Sequence, residues 1–382
     1  MINLFKVNLK TKAPIQIGTG IPSRNILQTY STIPSTTLWG AIASKLLIEF
    51  CSYSEFGKCH KCLQTNECVF YDTFYKSFCA FSPGIPLHSD CGEITVPPHE
   101  FQLYCKRCKE DFDDFKALKT WISKKGLLIC PTGKTKTTLT PIRTFFCRKC
   151  KKRVVNVPRK DRVTVSSVNR KTLSVEEGML YTYEYIELES NFGSIISLNN
   201  EKAIDTLVKV NSLALGRGRS RGFGDIEVSI KSYQPNSNNG LFKTIQRMLE
   251  SNKLILAAKS PIFSFNIKQE KLGTSPIPPE NLTPRLKFIY KFLTGTELND
   301  NFDIRLDKTY GDITRFSGWS LRYNQPKPHI TAAKPGSLFL YNVKNLSSTP
   351  EILNSLAHLE IVGFDQYSRV GFNIPYFPNF GG

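Results

Sequence analysis

The sequence is short of acidic residues, histidine and long apolar runs. Its 382 residues contain 32 Asp and Glu against 51 Lys and Arg, giving a formal net charge of +19 at pH 7. Such an excess favours a polyanionic partner, nucleic acid first and an anionic membrane surface second. No apolar run approaches the length of a membrane span, and residues 1–10 do not resemble a signal peptide. We therefore expect a cytoplasmic protein without a membrane partner.

The sequence also lacks a phosphate-binding motif of the strand–loop–helix type. The nearest Walker candidate ends in Gly133-Lys134-Thr135, but Leu128 stands where the first glycine belongs. The glycine-rich run at residues 216–224 follows a stretch with helical spacing (200–215) and precedes an alternating stretch (225–230). This predicts the order helix, loop, strand, so nucleotide hydrolysis by a P-loop is excluded.

The glycine-rich run itself contains four glycines and three arginines in nine residues. Glycine tolerates positive φ and lets another backbone come close. Arginine offers a planar set of donors that matches phosphate oxygens. The run therefore predicts a loop that grips the backbone of a nucleic acid, with a solvated hairpin turn as the alternative.

Eleven cysteines without a secretion signal indicate metal ligands rather than disulfides. Two pairs with C-x-x-C spacing stand out, Cys105 with Cys108 and Cys147 with Cys150. Two such turns are the ligand set of a tetrahedral structural zinc ribbon. Chance pairing of reduced thiols is the alternative.

A second group of thiols, Cys59, Cys62 and Cys68, leaves its fourth ligand undetermined. Burial as apolar cysteines among nearby phenylalanines explains this group equally well, and an iron–sulfur cluster is not excluded. We expect one structural zinc site and leave a second open. The residues that follow this group include Cys79, His88 and Cys91.

The first half of the chain predicts one domain over residues 1–233. It opens with an alternating strand at 2–9, and a helix follows from 35 to about 50, capped by Ser35 or Thr36. Free backbone N–H groups at the start of that helix offer a phosphate site. Residues 51–152 differ in composition from their surroundings. They predict an insertion within this domain that is stabilised by bound metal and has its own helix near 113–122.

The second half predicts a linker and helix at residues 234–252, then a domain over 253–382 that opens with a strand at 253–256. Upstream of the linker, Tyr181, Tyr183 and Tyr185 alternate on one face of a predicted strand. Aromatic rings on an open sheet beside basic residues can stack bases. Packing against neighbouring strands explains the alternation at least as well.

Three elements of the first half resemble the CRISPR-associated RAMP superfamily. Residues 33–40 (IPSTTLWG) resemble its IPGSTLRG-type helix start, residues 177–181 (EGMLY) its EGxLY strand, and residues 216–224 its C-terminal glycine-rich loop. The resemblance implies an α+β fold of two ferredoxin-like (RRM-like) RAMP domains, with a cysteine-rich zinc-binding insertion in the first. It also implies binding of guide RNA.

The second half resembles one branch, the Csx-ten subunit of type III-D effector complexes, which is similar to the Cas-five group. The matching segments are residues 318–321, 327–328, 334–339 and 363–372. This implies a structural subunit that holds the 5′ repeat-derived handle of the crRNA and caps the backbone filament. Its partners would be a Cas-ten-type large subunit and Cas-seven-like backbone subunits, with target RNA met indirectly.

The resemblance implies which residues bind RNA. The second glycine-rich loop, residues 363–372, keeps two glycines and one arginine, so RNA contact, packing and subunit docking all stay open for it. The RNA-binding candidates are Gly216, Arg217, Gly218, Arg219, Ser220, Arg221, Gly222, Phe223, Gly224, Ser35, Thr36, Arg162 and Arg170.

Two alternatives compete with a binding subunit. An endoribonuclease would use a histidine as general base, and of the five histidines His329 is the least implausible. Asp161, Asp225 and Asp312 are isolated carboxylates that do not indicate a two-metal site. A zinc-ribbon nucleic-acid-binding protein outside CRISPR would share the charge and the cysteine turns, but it does not explain the second-half matches. We expect no catalytic activity.

Overall fold

The computed structural model describes residues 3–23, 26–51, 59, 62, 66–99, 102–108, 139–154, 158–168, 175–234, 240–265, 274–298, 301–316, 319–320, 325–326 and 330–378. Over these ranges the chain has a mixed α+β fold, and none of its helices is long and apolar enough to cross a membrane. The helices are α1 (Ser35–Phe50), α2 (Val69–Tyr71, continued by a π-helical turn Asp72–Lys76), α3 (Glu201–Val208), α4 (Leu241–Glu250), α5 (Thr283–Thr294) and α6 (Pro350–Val362).

The strands are numbered in chain order. Those of the first half are β1 (Leu4–Thr11), β2 (Gly18–Ser23), β3 (Ile26–Thr29), β4 (Cys79–Phe81), β5 (Ile85–Pro86), β6 (Leu103–Tyr104), β7 (Thr140–Pro141), β8 (Phe145–Cys147), β9 (Lys152–Val154), β10 (Lys160–Val168), β11 (Val175–Ile186), β12 (Asn191–Leu198), β13 (Ser212–Ala214) and β14 (Asp225–Ser232). Those of the second half are β15 (Lys253–Ala258), β16 (Ser264–Phe265), β17 (Thr274–Ser275), β18 (Asp303–Tyr310), β19 (Ile313–Phe316), β20 (Trp319–Ser320), β21 (Gln325–Pro326), β22 (Ile330–Ala333), β23 (Leu338–Lys344) and β24 (Pro375–Tyr376).

The first unit is built around β1, which lies between β12 and β14 and is antiparallel to both. Its main elements follow the chain order β1, α1, β4, β12, α3, β14, and the strands lie in the order β14-β1-β12-β4. β13 extends the sheet beyond β14, and β5 also pairs with β12. Leu38, Ile42 and Leu46 of α1 are fully buried, and Ala203 and Leu207 of α3 join the same core.

Two local predictions for this unit fail at helix ends. The helix expected over residues 200–215 stops at Val208, and β13 pairs with β14 instead, because Leu213 finds its apolar neighbours at the sheet edge. At α1 the N-cap residue is Pro34, without a side-chain cap from Ser35 or Thr36; the Pro34 carbonyl accepts the N–H groups of residues 37 and 38 instead. By contrast, the alternating strand after the glycine-rich loop is confirmed, since the burial of β14 alternates along its length.

The second unit repeats the same order of elements. Its strands and helices follow the sequence β15, α5, β18, β23, α6, β24, and the strands lie in the order β18-β23-β15-β24. Read from β24, this is the arrangement β24-β15-β23-β18, with the same positions as β14-β1-β12-β4 in the first unit. Helix α4 contributes Ile245, Met248 and Leu249 to the core of this second unit.

A third sheet, in the order β10-β11-β3-β2, carries the long hairpin of β10 and β11. These two strands are antiparallel, with Tyr183 opposite Val163 and Tyr185 opposite Asp161. β3 pairs with β11 in parallel, through Ile26 opposite Thr182. The third sheet brings β11 next to the glycine-rich loop.

The chain leaves the first sheet after β5 and next joins the third sheet at β10; we call residues 87–154 the excursion. The insertion expected from residue 51 starts later in the structure, because Phe70, Phe74 and Phe81 belong to the core of the first unit. Within the excursion, Val96 lies in the core of the second unit and Phe146 packs against it. The predicted helix near 113–122 lies outside the described residues. The described part of the excursion therefore packs against the second unit.

A buried group of charges joins the excursion to the second unit. Arg148 donates from Nη1 and Nη2 to the Glu360 carboxylate at 2.9 and 2.6 Å, and the Phe377 N–H donates to Glu360 Oε1 at 2.6 Å. Burial alone would raise the pKa of Glu360, but Arg148 and Lys259 outweigh it and hold the pKa below its usual value. Burial lowers the pKa of Lys259 to about 8. The ionised carboxylate therefore depends on its cationic neighbours.

Replacing Glu360 by alanine is expected to destabilise the protein by about 3–5 kcal/mol, because it leaves Arg148 and Lys259 as buried, uncompensated charges. Urea unfolding followed by circular dichroism measures the change. The double variant Arg148→Met with Glu360→Leu should recover part of the loss, since it removes the Arg148–Glu360 pair together and leaves only Lys259 uncompensated. Glu297→Ala, which breaks an exposed pair with Lys291, is the control and should leave unfolding unchanged. Equal behaviour of Glu360→Ala and Glu297→Ala would contradict a buried ionic contact.

Candidate nucleic-acid interface and metal centre

The arginine loop, which we define as residues 216–224, depends on left-handed backbone at its four glycines. Their φ angles are 82°, 76°, 81° and 88° at Gly216, Gly218, Gly222 and Gly224. Side chains other than glycine rarely adopt such angles. Between them, Arg219–Arg221 form a single 3₁₀ turn.

Two of these glycines serve contacts within the protein rather than approach of a ligand. A Cβ at Gly216 would lie 2.4 Å from the Gln16 carbonyl oxygen, and one at Gly224 would lie 2.2 Å from the Leu215 carbonyl oxygen. The Arg217 N–H donates to the same Gln16 oxygen at 2.9 Å. At Gly222 an added Cβ would meet open space. The loop is thus anchored at both ends, and only its middle is open.

All three arginines of the loop are solvent-exposed. Arg219 donates from Nε to the Gly216 carbonyl at 3.3 Å, which ties it to the loop backbone. The Arg217 guanidinium lies beside Gly18 of β2. A fixed backbone with exposed guanidinium groups is an arrangement that can accept phosphate oxygens.

Aromatic rings of β11 lie next to the loop. Phe223 makes an edge-to-face contact with Tyr185, at 5.9 Å between ring centroids. Burial, followed by its hydrogen bond to Tyr181, raises the pKa of Tyr183, and the nearby Arg221 opposes this rise. The Tyr185 hydroxyl donates to Asp161 at 2.9 Å. The arginine loop and the tyrosine face of β11 therefore form one continuous surface.

The remaining predicted RNA-binding residues are spread over other places. Ser35 is 2% exposed, and Thr36 beside it is half-buried. Arg162 is exposed but pairs with Glu184 at 3.4 Å, and strand alternation puts both on the face of the hairpin opposite Tyr183. Arg170 lies outside the described residues. Of the three described positions, Ser35, Thr36 and Arg162, none lies in the arginine loop.

The second glycine-rich loop is turned inward. A Cβ at Gly371 would lie 2.2 Å from the Ser35 Cβ, so this loop packs directly on the start of α1. Arg369 donates to the Tyr75 carbonyl at 3.3 Å. Arg285 donates to the carbonyls of Gly363, Val362 and Asp365, at 2.8, 2.5 and 3.4 Å. Packing between the two units is what this loop does in the folded chain.

A group of four side chains in the excursion could hold a metal ion. The ligand atoms of His88, Cys91, Cys147 and Cys150 all lie within 4.8 Å of one another. The His88 Nδ1 is 3.2 Å from the Cys91 Sγ, which is 3.6 Å from the Cys147 Sγ. Cys147 and Cys150 thus lie in a group that could hold a metal ion.

The partner of that pair was predicted wrongly. Cys105 and Cys108, assigned to the same site from spacing, follow β6, and His88-x-x-Cys91 takes their place. The reason lies in the tertiary structure. Val96 forms an isolated antiparallel β-bridge with Phe146, and this places the turn after Leu87 against the hairpin of β8 and β9. The signal in the sequence was the same x-x spacing between His88 and Cys91, with histidine in place of the first cysteine.

The upstream thiols are less tightly gathered. The Cys62 N–H donates to the Cys59 carbonyl at 3.2 Å, and Cys59 and Cys68 pack against the core of the first unit. The sulfurs of these three described residues do not all lie within 4.8 Å of one another. Burial, followed by the nearby Cys68 and Cys51 thiols, raises the pKa of Cys59. His60 lies outside the described residues.

Hydrogen bonds in the four-residue group favour one thiolate. Burial acts to raise the pKa of Cys91, but the Glu93 N–H, His88 and the Cys150 and Cys147 thiols lower it to about 7. The pKa of Cys150 rises to about 12 because it hydrogen-bonds to Cys91. Metal ligation requires deprotonated thiols, so this group starts from one readily formed thiolate.

One comparison with known protein families gives a match over the part of the chain that contains the arginine loop. The family model described as the RAMP superfamily matches residues 8–227, more than half of the chain, from β1 through the loop into β14. The chain belongs to the RAMP superfamily. No curated protein matches this RAMP protein.

Comparison with solved structures finds chains of low identity to this RAMP protein. A chain of the type III-B Cmr-beta complex bound to cognate target RNA is 13% identical, with a TM-score of 0.48, covering 97% of this RAMP protein and 96% of that chain. A structure described as a RAMP protein binding different RNA substrates is 12% identical, with a TM-score of 0.39 and coverage of 99% and 100%. A CRISPR-associated protein Cas6 is 13% identical, with a TM-score of 0.39 and the same coverage. Likenesses at this level carry no argument about function.

The loop geometry predicts different outcomes for two glycine variants. Gly222→Ala should cost about 1–2 kcal/mol, since only its left-handed backbone is strained. Gly224→Ala should cost clearly more, because its new Cβ would overlap the Leu215 carbonyl oxygen. Urea unfolding measures both. Gly92→Ala, with φ of 65° and open space around it, is the control and should match Gly222→Ala. A Gly224→Ala variant as stable as the other two would contradict the anchored loop.

Proposed function

We propose that this RAMP protein is a structural RNA-binding subunit of a type III CRISPR effector complex. The observation that carries the proposal is the arginine loop, where glycine backbone anchored on Gln16 and Leu215 presents three exposed arginines. Guanidinium groups held in this way match the phosphates of an RNA backbone. The net charge of +19 and membership of the RAMP superfamily support the same conclusion.

We further propose the narrower role of a Csx-ten-like subunit of a type III-D complex, in the cytoplasm, which holds the 5′ handle of the crRNA. Support comes from the repeated order β-α-β-β-α-β in the two units, which we interpret as two ferredoxin-like domains. One loop faces solvent and the other lies between the units, so one face is left for RNA. The proposed protein partners are a Cas-ten-type large subunit and Cas-seven-like backbone subunits.

We propose that the protein does not catalyse RNA cleavage. In the described part of the chain, His358 is buried in α6, where burial lowers its pKa, and His88 belongs to the metal-binding group. Asp161 accepts from the Arg162 N–H and the Tyr185 hydroxyl, which lower its pKa and hold it ionised. The environments of these three side chains do not suit a group that exchanges protons with a substrate. His329 lies outside the described residues.

Zinc is the metal that we propose for His88, Cys91, Cys147 and Cys150. Tetrahedral zinc with Zn–S of about 2.3 Å and Zn–N of about 2.0 Å requires about 3.8 Å between two sulfurs and about 3.6 Å between nitrogen and sulfur. The corresponding distances here are 3.6 and 3.2 Å, so only small shifts would be needed. Four protein ligands leave no open position, which is typical of structural zinc.

Purified protein should contain zinc that depends on this group. The double variant Cys147→Ser with Cys150→Ser is expected to lose one zinc per chain, measured by inductively coupled plasma mass spectrometry on protein never exposed to chelator. Cys79→Ala, a buried thiol on β4 outside the group, is the control and should keep its zinc. An unchanged zinc content in the double variant would contradict the proposed zinc site.

Replacing Arg217, Arg219 and Arg221 together by alanine should weaken RNA binding by about tenfold or more at physiological salt. The slope of log K against log salt should become shallower by about 2, because three phosphate contacts on a single strand are lost. Fluorescence anisotropy with a labelled repeat-derived RNA, at several salt concentrations, measures both quantities.

The matched control removes the same charge from exposed helix positions, with Lys202, Lys243 and Arg247 replaced by alanine. This control should keep most of the affinity. Equal loss in the two triple variants would show that net charge alone binds RNA. The same reactions, with and without magnesium, are run on a gel, where cleavage of the RNA would contradict the non-enzymatic role.

A further inference from the structure

The tyrosine face of β11 has a composition that phosphate binding does not require. Tyr181, Tyr183 and Tyr185 lie on the same face of the strand, and all three are half-buried. The opposite face carries Ile186, which is fully buried, and Glu184, which pairs with Lys160 and Arg162. Leu180 on that opposite face is 56% exposed, so both faces of the hairpin reach solvent, and the tyrosine face is the one that meets the arginine loop.

Tyrosines that fill the cores of this protein have a different environment. Tyr341 and Tyr376 in the second unit are both 0% exposed, and their hydroxyls donate to backbone carbonyls. The Tyr181 and Tyr183 rings instead meet edge to face near the strand surface, and Arg221 lies near Tyr183. Packing inside a core therefore does not account for the exposure of the tyrosines on β11.

The ring geometry leaves aromatic surface available. The Tyr181 and Tyr183 rings are 5.1 Å apart at 89°, and the Tyr185 and Phe223 rings are 5.9 Å apart at 82°. In an edge-to-face pair, one ring contacts its partner only through its edge. The partner therefore covers neither face of that ring. The Tyr185–Phe223 pair ties the row to the arginine loop, which fixes the distance between rings and guanidinium groups.

Rings and guanidinium groups side by side are what a single-stranded nucleic acid requires. Its phosphates bind cations, while its unpaired bases stack on aromatic side chains at about 1–3 kcal/mol per base. The bases of a duplex already stack on each other and cannot use such rings. Arg221 links the guanidinium groups to the aromatic rings, because it is exposed on the arginine loop and lies near Tyr183.

We propose that Tyr181 and Tyr183 form a stacking platform for unpaired RNA bases, with Tyr185 and Phe223 holding it against the arginine loop. This inference rests on the proposed RNA-binding function and specifies its substrate as a single-stranded segment. Stacking tolerates every base, so the platform favours unpaired over paired RNA without reading sequence.

The test uses the full-length protein and an RNA of about twelve nucleotides, mostly uridine with one central 2-aminopurine, within the range of single-strand site sizes. In wild-type protein the 2-aminopurine fluorescence should fall on binding. The double variant Tyr181→Leu with Tyr183→Leu should bind about tenfold or more weakly, with an unchanged salt slope and without quenching. The double variant with phenylalanine at both positions should retain affinity and quenching, because the rings remain.

The control Tyr75→Leu removes an exposed tyrosine from the π-helical turn and should change neither quantity. Absence of any RNA binding by the wild-type protein would overturn the proposed function together with the platform. Wild-type binding that is unaffected in the leucine variant, or equally tight for a matched duplex, would overturn the platform alone. If circular dichroism shows that the leucine variant is unfolded, quenching in the wild-type and phenylalanine proteins decides: its presence supports the platform, and its absence overturns it.

Discussion

Glu360 lies on the last helix of the second unit, yet the groups that neutralise it come from other parts of the chain. Arg148 belongs to the excursion, Lys259 follows β15, and the Phe377 N–H follows β24. A buried carboxylate is tolerated only while such partners stay in place, because taking charge out of water costs several kcal/mol. The relative placement of the excursion and the second unit is therefore fixed by polar geometry as well as by the apolar contacts of Val96 and Phe146.

The four residues that could hold a metal ion, His88, Cys91, Cys147 and Cys150, are linked to this ionic contact. Arg148 lies between Cys147 and Cys150, so one short turn presents two metal ligands and the guanidinium that meets Glu360. Fixing the conformation of that turn reduces the entropy that Arg148 must lose to reach Glu360. In the proposed function, these two cysteines act only through the shape of the protein, while the contacts with RNA are assigned to the arginine loop.

Much of the fold follows from local sequence patterns, because strand alternation and helical spacing report directly on burial. The strands β14 and β15 and the helix α1 were predicted on this basis. The end of α3 was not, since Leu213 suits a helix face and a sheet edge equally well. The candidate metal ligands could be recognised by residue type, but four pairs share the x-x spacing, and only the contact between the excursion strands decides that His88 joins Cys147.

The two glycine-rich loops show why position in the fold matters more than composition. Both follow the last helix of a β-α-β-β-α-β unit, and both contain arginine and left-handed glycine. In the second loop Gly371 lies against Ser35, and the Arg369 guanidinium bonds to the Tyr75 carbonyl of the first unit, so its charge serves packing. Arg285, Arg148 and Lys259 are likewise directed inward. The net charge of +19 therefore overstates the surface offered to a polyanion. Only exposed cations can bind phosphates and release the counterions of the nucleic acid. All three arginines of the arginine loop are exposed.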